Sequence, residues 1–206
     1  MGKIPVTFDA YDLGLRFGNR WLFRHLNFSL QEGECLSLIG PSGKGKSSLL
    51  LALHGEIPFT EGSVKGPSQR GMVYQDFRLI EGLSVWENAL LGGLKHFQSP
   101  FLYRVPTEIQ EKASRAMDRL GLSAFKDSQV ARLSGGERQR LALVRLIVCE
   151  PKVILADEPF SQLDDENTQN VIRELADLVQ KRKSILICSV HDRSPLQLLE
   201  TKVISL

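Results

Sequence analysis

Residues 40–47 read Gly-Pro-Ser-Gly-Lys-Gly-Lys-Ser, the pattern G-x-x-x-x-G-K-S. Glycines at 40, 43 and 45 let the backbone curl tightly, with N–H groups turned inward. Such a cradle suits a polyanion. The apolar run Cys35-Leu36-Ser37-Leu38-Ile39 enters it like a buried strand, and Leu49-Leu50-Leu51-Ala52-Leu53 leaves it like a helix. The helix adds the positive end of its dipole to the cradle. This is the context of a phosphate-binding loop for a nucleoside triphosphate. Lys46 is then expected at the β- and γ-phosphates and the Ser47 hydroxyl on Mg²⁺. Pro41, Ser42, Lys44 and Ser48 complete the expected binding loop. The extra lysine, Lys44, is expected to point to solvent or to a partner.

Two further groups carry chemistry. The apolar run Val153-Ile154-Leu155-Ala156 delivers Asp157 and Glu158. Asp157 offers the hard oxygen that Mg²⁺ prefers. Glu158, one step nearer the γ-phosphate, is placed to polarise an attacking water. Asp-Glu-Pro alone reads as a polar exit turn; behind a phosphate loop and a strand, the catalytic reading is preferred. Leu133-Ser134-Gly135-Gly136-Glu137 opens a helix with a hydroxyl, free N–H groups and a dipole. Its plainer reading is a helix cap. A second anion site in a chain with one triphosphate loop needs an explanation.

The elements that must position these groups follow from the patterning. The first thirty residues alternate, with turn signals at Asp12, Gly18-Asn19 and Glu32-Gly33, and predict an antiparallel sheet of short strands. Val64 and Met72-Val73-Tyr74 are expected to continue it. Ser84-Val85-Trp86-Glu87 and Thr107-Glu108-Ile109-Gln110 are capping-box patterns. They predict helices from near Val85 to Gly92-Gly93, and from Thr107 to Gly121. Further helices are expected over 137–148 and 167–183, with strands at 153–156, 185–190 and 202–206. Ser194-Pro195 should open a short helix. Strand and helix alternate here, so the sheet should be mostly parallel, with ligands at its carboxyl ends. The predicted class is α/β: a P-loop NTPase core with a mostly parallel sheet, an N-terminal antiparallel β-subdomain and an inserted α-helical subdomain. All 206 residues form one domain in this reading, with 1–77 and 146–206 as the nucleotide-binding core and 78–145 as the helical insert.

Composition narrows the partners. Twenty-six basic and 24 acidic residues leave a net charge of +2, so there is no basic footprint for nucleic acid. No apolar stretch approaches a membrane span, and the N-terminus lacks a signal-peptide pattern. Cys35, Cys149 and Cys188 lack zinc or redox spacing and read as buried thiols in a reducing compartment. A cytosolic protein is expected.

The order of these elements resembles the nucleotide-binding subunit of ATP-binding cassette (ABC) transporters over nearly the whole chain. The run Leu133-Ser134-Gly135-Gly136-Glu137-Arg138-Gln139-Arg140 is the most specific part of the likeness. Glu137 stands where a glutamine is common. The resemblance implies ATP and Mg²⁺ as cofactors and assigns roles to isolated residues. Phe17 matches the aromatic that stacks on adenine, its other reading being a core strand residue; Trp21 is a second candidate. Gln75 matches the glutamine that touches Mg²⁺ or the attacking water. Ser161-Gln162-Leu163-Asp164 resembles a segment that crosses between subunits, although Asp164 alone would read as a helix cap. His191 matches the histidine that contacts the γ-phosphate. Two subunits are expected to pack head to tail, so that Ser134, Gly135 and Gly136 of one face the ATP on Lys46 of the other. Hydrolysis would then drive separate integral membrane transporter subunits, with the chain on the inner face of the cell membrane and a solute-binding protein as a possible further partner. Residues 75–79 and 90–121 resemble phosphonate-type importers. Parts also resemble the cell-division ABC ATPase, so the alternative is a regulator of cell-wall or division enzymes that moves no solute. The segment 95–106, with its aromatics and bases, is expected either to seat a helix of the membrane partner or to be a surface loop.

Overall fold

The computed structural model describes residues 6–93, 105–190 and 201–206. Two sheets form it. Strands β1 (Thr7–Phe17), β2 (Arg20–Gln31) and β4 (Glu61–Lys65) make an antiparallel sheet in the order β2-β1-β4. Strands β3 (Cys35–Ile39), β5 (Arg70–Val73), β6 (Val153–Asp157), β7 (Ile185–Ser189) and β8 (Thr201–Ser205) make a second, in the order β5-β6-β7-β3-β8. Every pairing in the second sheet is parallel. The helices are α1 (Lys46–His54), α2 (Val85–Leu91), α3 (Thr107–Arg119), α4 (Gly135–Cys149) and α5 (Asp165–Gln180).

The buried strands show why the sheet has two covered faces. Val153 and Leu155 of β6, Ile185 and Ile187 of β7, and Leu36 and Leu38 of β3 pack in one core with α1 and the antiparallel sheet. Their alternate neighbours Ile154, Ala156, Leu186, Cys188 and Cys35 pack in the other, with α2 to α5. The period of two sorts each strand between the two cores. A fully buried leucine or isoleucine in either core contributes about 1.5–3 kcal/mol. Burial pushes the Cys35 thiol up to about 12 and raises Cys188 as well; Cys149 is half-buried, and all three are free thiols.

Several expectations change on folding. Asp12 is no strand break. It and His25 take left-handed φ values of +49° and +54° inside long strands, as bulges pinned by a 2.8 Å contact between His25 Nδ1 and Asp12 Oδ1. Met72 and Val73 leave the antiparallel sheet and pair in parallel with Leu155 and Ala156, because β5 finds its partner some eighty residues away. Thr107 does not cap α3; Pro106 holds the cap position and Thr107 is the first helical residue, without a side-chain cap. Helix α5 begins two residues before 167 and ends at Gln180. The Ser84 capping box forms as expected, with Ser84 N–H and hydroxyl both donating to Glu87 Oε2 at 2.8 Å. The predicted helix at 194–195 and nearly all of the 95–106 segment lie outside the described residues.

Two features anchor α2 and α4. Asn88, fully buried, accepts from Ile80 N–H at 2.9 Å and donates to the carbonyls of Ile80 and Ser84 at 3.0 Å, stitching residues 80–84 to α2. Helix α4 runs unbroken past residues 145 and 146 and packs on α2, α3, α5 and β5. Among the described residues no helix is long and apolar enough to cross a membrane.

Candidate functional site

The carboxyl ends of β3, β5 and β6 deliver the phosphate loop, Gln75 and the Asp157-Glu158 pair to one edge of the parallel sheet. All of these but the buried Asp157 contribute to a groove of about 320 Å³ lined by Phe17, Leu22, Ser42, Gly43, Gly45, Lys46, Ser47, Ser48, Gln75 and Glu158. Residues distant in sequence thus share one cleft.

The loop is built as its glycines require. Gly40 has φ +155°, and a Cβ there would stand 2.5 Å from the Leu206 carbonyl, so only glycine fits against the residue that follows β8. Gly45 caps α1 at φ +97°, with the Leu22 side chain 3.0 Å from where its Cβ would be. Lys46 is buried, and its Nζ donates to Gly40 O at 2.6 Å and Pro41 O at 3.2 Å. The ammonium therefore lies across the loop that the phosphates would occupy. Lys44 is exposed and does not line the groove. No acidic residue occupies the first turn of α1, so its dipole is unopposed there.

Asp157 is buried, and its Oδ1 accepts from Ser189 Oγ at 2.5 Å; the same Oγ accepts from Glu158 N–H at 2.9 Å. Among the described residues no three His, Cys, Asp or Glu side chains converge on a metal position. The oxygens of Ser47, Asp157 and Gln75 at this edge are nonetheless a hard donor set. One carboxylate supplemented by substrate phosphates is how Mg²⁺ is commonly held, so these residues fit that ion.

Phe17 is 58% exposed at the mouth of the groove, free to meet a flat apolar group. It is not a core strand residue. Trp21, the second candidate, does not line the groove. Its ring is stacked by the guanidinium groups of Arg16 and Arg24, 5.4 and 4.3 Å from the centroid, and it packs over Gly14. Those contacts take its faces away from the groove.

Behind Gln75 the chain is strained and held. Phe77 and Arg78 both have left-handed φ, +62° and +43°. Arg78 stacks 3.7 Å from the Tyr74 ring centroid and donates to Glu56 at 2.7 Å, while Tyr74 also donates to Glu56. From α4, Arg145 donates to the Arg78 carbonyl at 2.7 Å. Burial raises the Tyr74 hydroxyl to about 12, helped by its bond to Glu56. Burial also works to raise Glu56, but its bonds to Tyr74 and Arg78 prevail and lower it. This cluster links the end of α1 to the segment carrying Gln75. The cluster itself gave no sequence signal, because Glu56, Tyr74, Arg78 and Arg145 come together only through the fold.

Ser134, Gly135, Gly136 and Asp164 do not line the groove. Ser134 caps α4 in a full capping box, its N–H and hydroxyl donating to Glu137 Oε2 at 2.7 and 2.8 Å. The hydroxyl is therefore engaged within the chain, as the plainer helix-cap reading has it. Asp164 caps α5 by accepting from Asn167 N–H at 2.8 Å, and that bond holds its carboxyl below the usual carboxylate range. Gly135 and Gly136 pack directly on Gln162. His191 lies outside the described residues.

The family model described as ABC transporter matches residues 23–161. The chain is 34% identical over 204 residues to the phosphate-import ATP-binding protein PhnC of Mycolicibacterium smegmatis, covering 90% of this chain and 78% of that protein. It is 31% identical over 199 residues to the phosphonates import ATP-binding protein PhnC 2 of a Synechococcus species, covering 88% and 74%. Among solved structures it matches a dimeric post-hydrolysis state of the ATP-binding cassette MJ0796 bound to ADP and Pi, with a TM-score of 0.85 at 25% identity, covering 97% of this chain and 94% of that one.

Proposed function

Because this chain belongs to the ABC transporter family as one of its ATP-binding subunits, we propose that Mg-ATP binds in the groove between Phe17 and Gln75 and is hydrolysed there. Phe17 stacks on adenine. The N–H groups of residues 40–47, Lys46 and the dipole of α1 neutralise the phosphates. Ser47, Asp157 and Gln75 would hold Mg²⁺, which when bound would spread the charge developing on the transferred phosphoryl group. Glu158 accepts the proton of the attacking water, aided by Gln75 and His191. One observation carries this reading: Lys46, Ser47, Gln75 and Glu158, drawn from three separate parts of the chain, line a single groove.

The chain is an ATPase subunit that powers solute transport through separate membrane subunits. In our reading two copies pack head to tail, each presenting Ser134, Gly135, Gly136 and Asp164 to the nucleotide on its partner. This explains why those residues stand apart from the groove within one chain. The nucleotide core then comprises 1–77 and 146–206, and residues 78–145 form the helical insert, with α4 shared between them. The chain sits at the inner face of the cell membrane by binding its membrane subunits. The relatives named for import of phosphate and phosphonates support uptake of a phosphorus oxyanion, delivered by a solute-binding protein.

The test is reconstitution with its membrane subunits. Vesicles carrying the complex should accumulate radiolabelled phosphonate when Mg-ATP is supplied on the side of this chain. ATP hydrolysis stimulated by the membrane subunits, with no accumulation of phosphonate or phosphate, would rule out the proposed substrate class.

A further inference from the structure

Glu158 follows β6 with φ +49°, a left-handed conformation that a residue bearing a Cβ keeps only when its surroundings impose it. Two buried side chains hold that residue's backbone at both ends. From β7, Ser189 Oγ accepts from the Glu158 N–H at 2.9 Å. From α4, Gln139 Nε2 donates to the Glu158 carbonyl at 3.0 Å. Gln139 is 1% exposed, and its Oε1 accepts from the Gln162 N–H at 3.0 Å. Both ends of one buried amide are therefore committed to backbone groups on either side of the Glu158 turn. The donor faces a carbonyl and the acceptor faces an N–H, so the orientation of the amide is fixed by its partners.

Gln139 lies four residues after Gly135, on the helix whose cap is Ser134. Gly135 and Gly136 pack on the same Gln162 that bonds to Gln139. The start of α4 and the Glu158 turn thus meet through a few contacts, with Gln139 at the centre.

We propose that Gln139 is a positioning residue for ATP hydrolysis: it holds the left-handed Glu158 backbone, and through it the carboxylate, in register with the phosphate loop. This rests on the reading of Glu158 as the group that activates water. Positioning of this kind acts on turnover more than on binding, since the nucleotide is held by the loop and Lys46. An ångström of misplacement at a reacting group costs about 100-fold in rate.

The test uses two variants of the chain, measured in the same complex with its membrane subunits. Gln139→Met keeps length and volume but removes both hydrogen bonds. It should lower kcat about 10- to 100-fold, with KM for ATP and the Kd of a non-hydrolysable ATP analogue changed less than about twofold. Equal losses of binding and turnover would reduce Gln139 to a packing residue, and an unchanged kcat would refute the proposal. Gln139→Glu supplies a readout that packing alone cannot move. Burial raises the pKa of the introduced carboxyl. Protonated, it regains one donor and one acceptor; ionised, it faces the Glu158 carbonyl without a donor. The ratio of its kcat to that of the parent should therefore rise as pH falls from about 8 to 6. A flat ratio would overturn the proposal, and this ratio decides the matter if Gln139→Met does not fold. Glu158→Gln is run alongside. If it turns over ATP at the parent rate, the assignment of Glu158 fails and this inference falls with it. If it is inactive while Gln139→Met matches the parent, the inference alone fails.

Discussion

Glu158→Gln is expected to cut ATP turnover about 10²- to 10⁴-fold, the contribution of a positioned base, while leaving ATP affinity near that of the parent. The corresponding rise in barrier is about 3–5 kcal/mol. The amide keeps the size of the carboxylate but cannot take the proton of the attacking water. Binding survives because the loop, Lys46 and the dipole of α1 are untouched. Nucleotide that is bound but not cleaved should hold two copies together. Size-exclusion chromatography with light scattering should therefore show an ATP-dependent dimer for the variant. Turnover at the parent rate would remove Glu158 from the role of base.

Ser134→Arg should abolish turnover in the assembled complex yet leave ATP binding to the isolated chain unchanged. The reason is geometric. Ser134 does not line the groove of its own chain, so a bulky side chain there obstructs only a second copy. The substitution also removes a helix cap, worth about 1 kcal/mol. Ser134→Ala controls for that loss, because it deletes the same cap without adding bulk. Both variants should lose similar thermal stability, and only the arginine should block turnover completely. Titration of the isolated variant with a fluorescent ATP analogue checks binding. Equal loss of binding and turnover would contradict a contact made across subunits.

How far the sequence foretold these features depends on the range of the interactions that make them. The phosphate loop was legible because its conformation is local: glycines at 40, 43 and 45 sit between a buried strand and an apolar helix. Glu158 was legible because an apolar strand must end somewhere, and the parallel order puts that end beside the loop. Ser134 and Asp164 were legible as caps, each bonded to a residue three positions on. What escaped depends on distant partners. The place of Met72 and Val73 in the sheet is decided by β6. Asp12 carries a turn residue's preference, yet its bulge is stabilised by His25 and Asn27 on the neighbouring strand. Trp21 ranked behind Phe17 for stacking, and the contacts of Arg16 and Arg24 with its ring, which set it apart, are made only in the fold. Ser189 and Gln139 bond to backbone groups 31 and 19 residues away along the chain. Gln139 did leave one trace: it falls three and four residues before Ala142 and Leu143, a polar side chain on the inward stripe of α4. A buried amide at such a position must satisfy partners from another element.

Isothermal titration of Mg-ATP into the purified chain probes most directly whether residues 40–47 and Lys46 neutralise a triphosphate. Saturable heat is predicted at one ATP per chain, absent in Lys46→Ala and sharply weakened when Mg²⁺ is chelated. No heat at millimolar Mg-ATP, or heat that Lys46→Ala leaves intact, would contradict it.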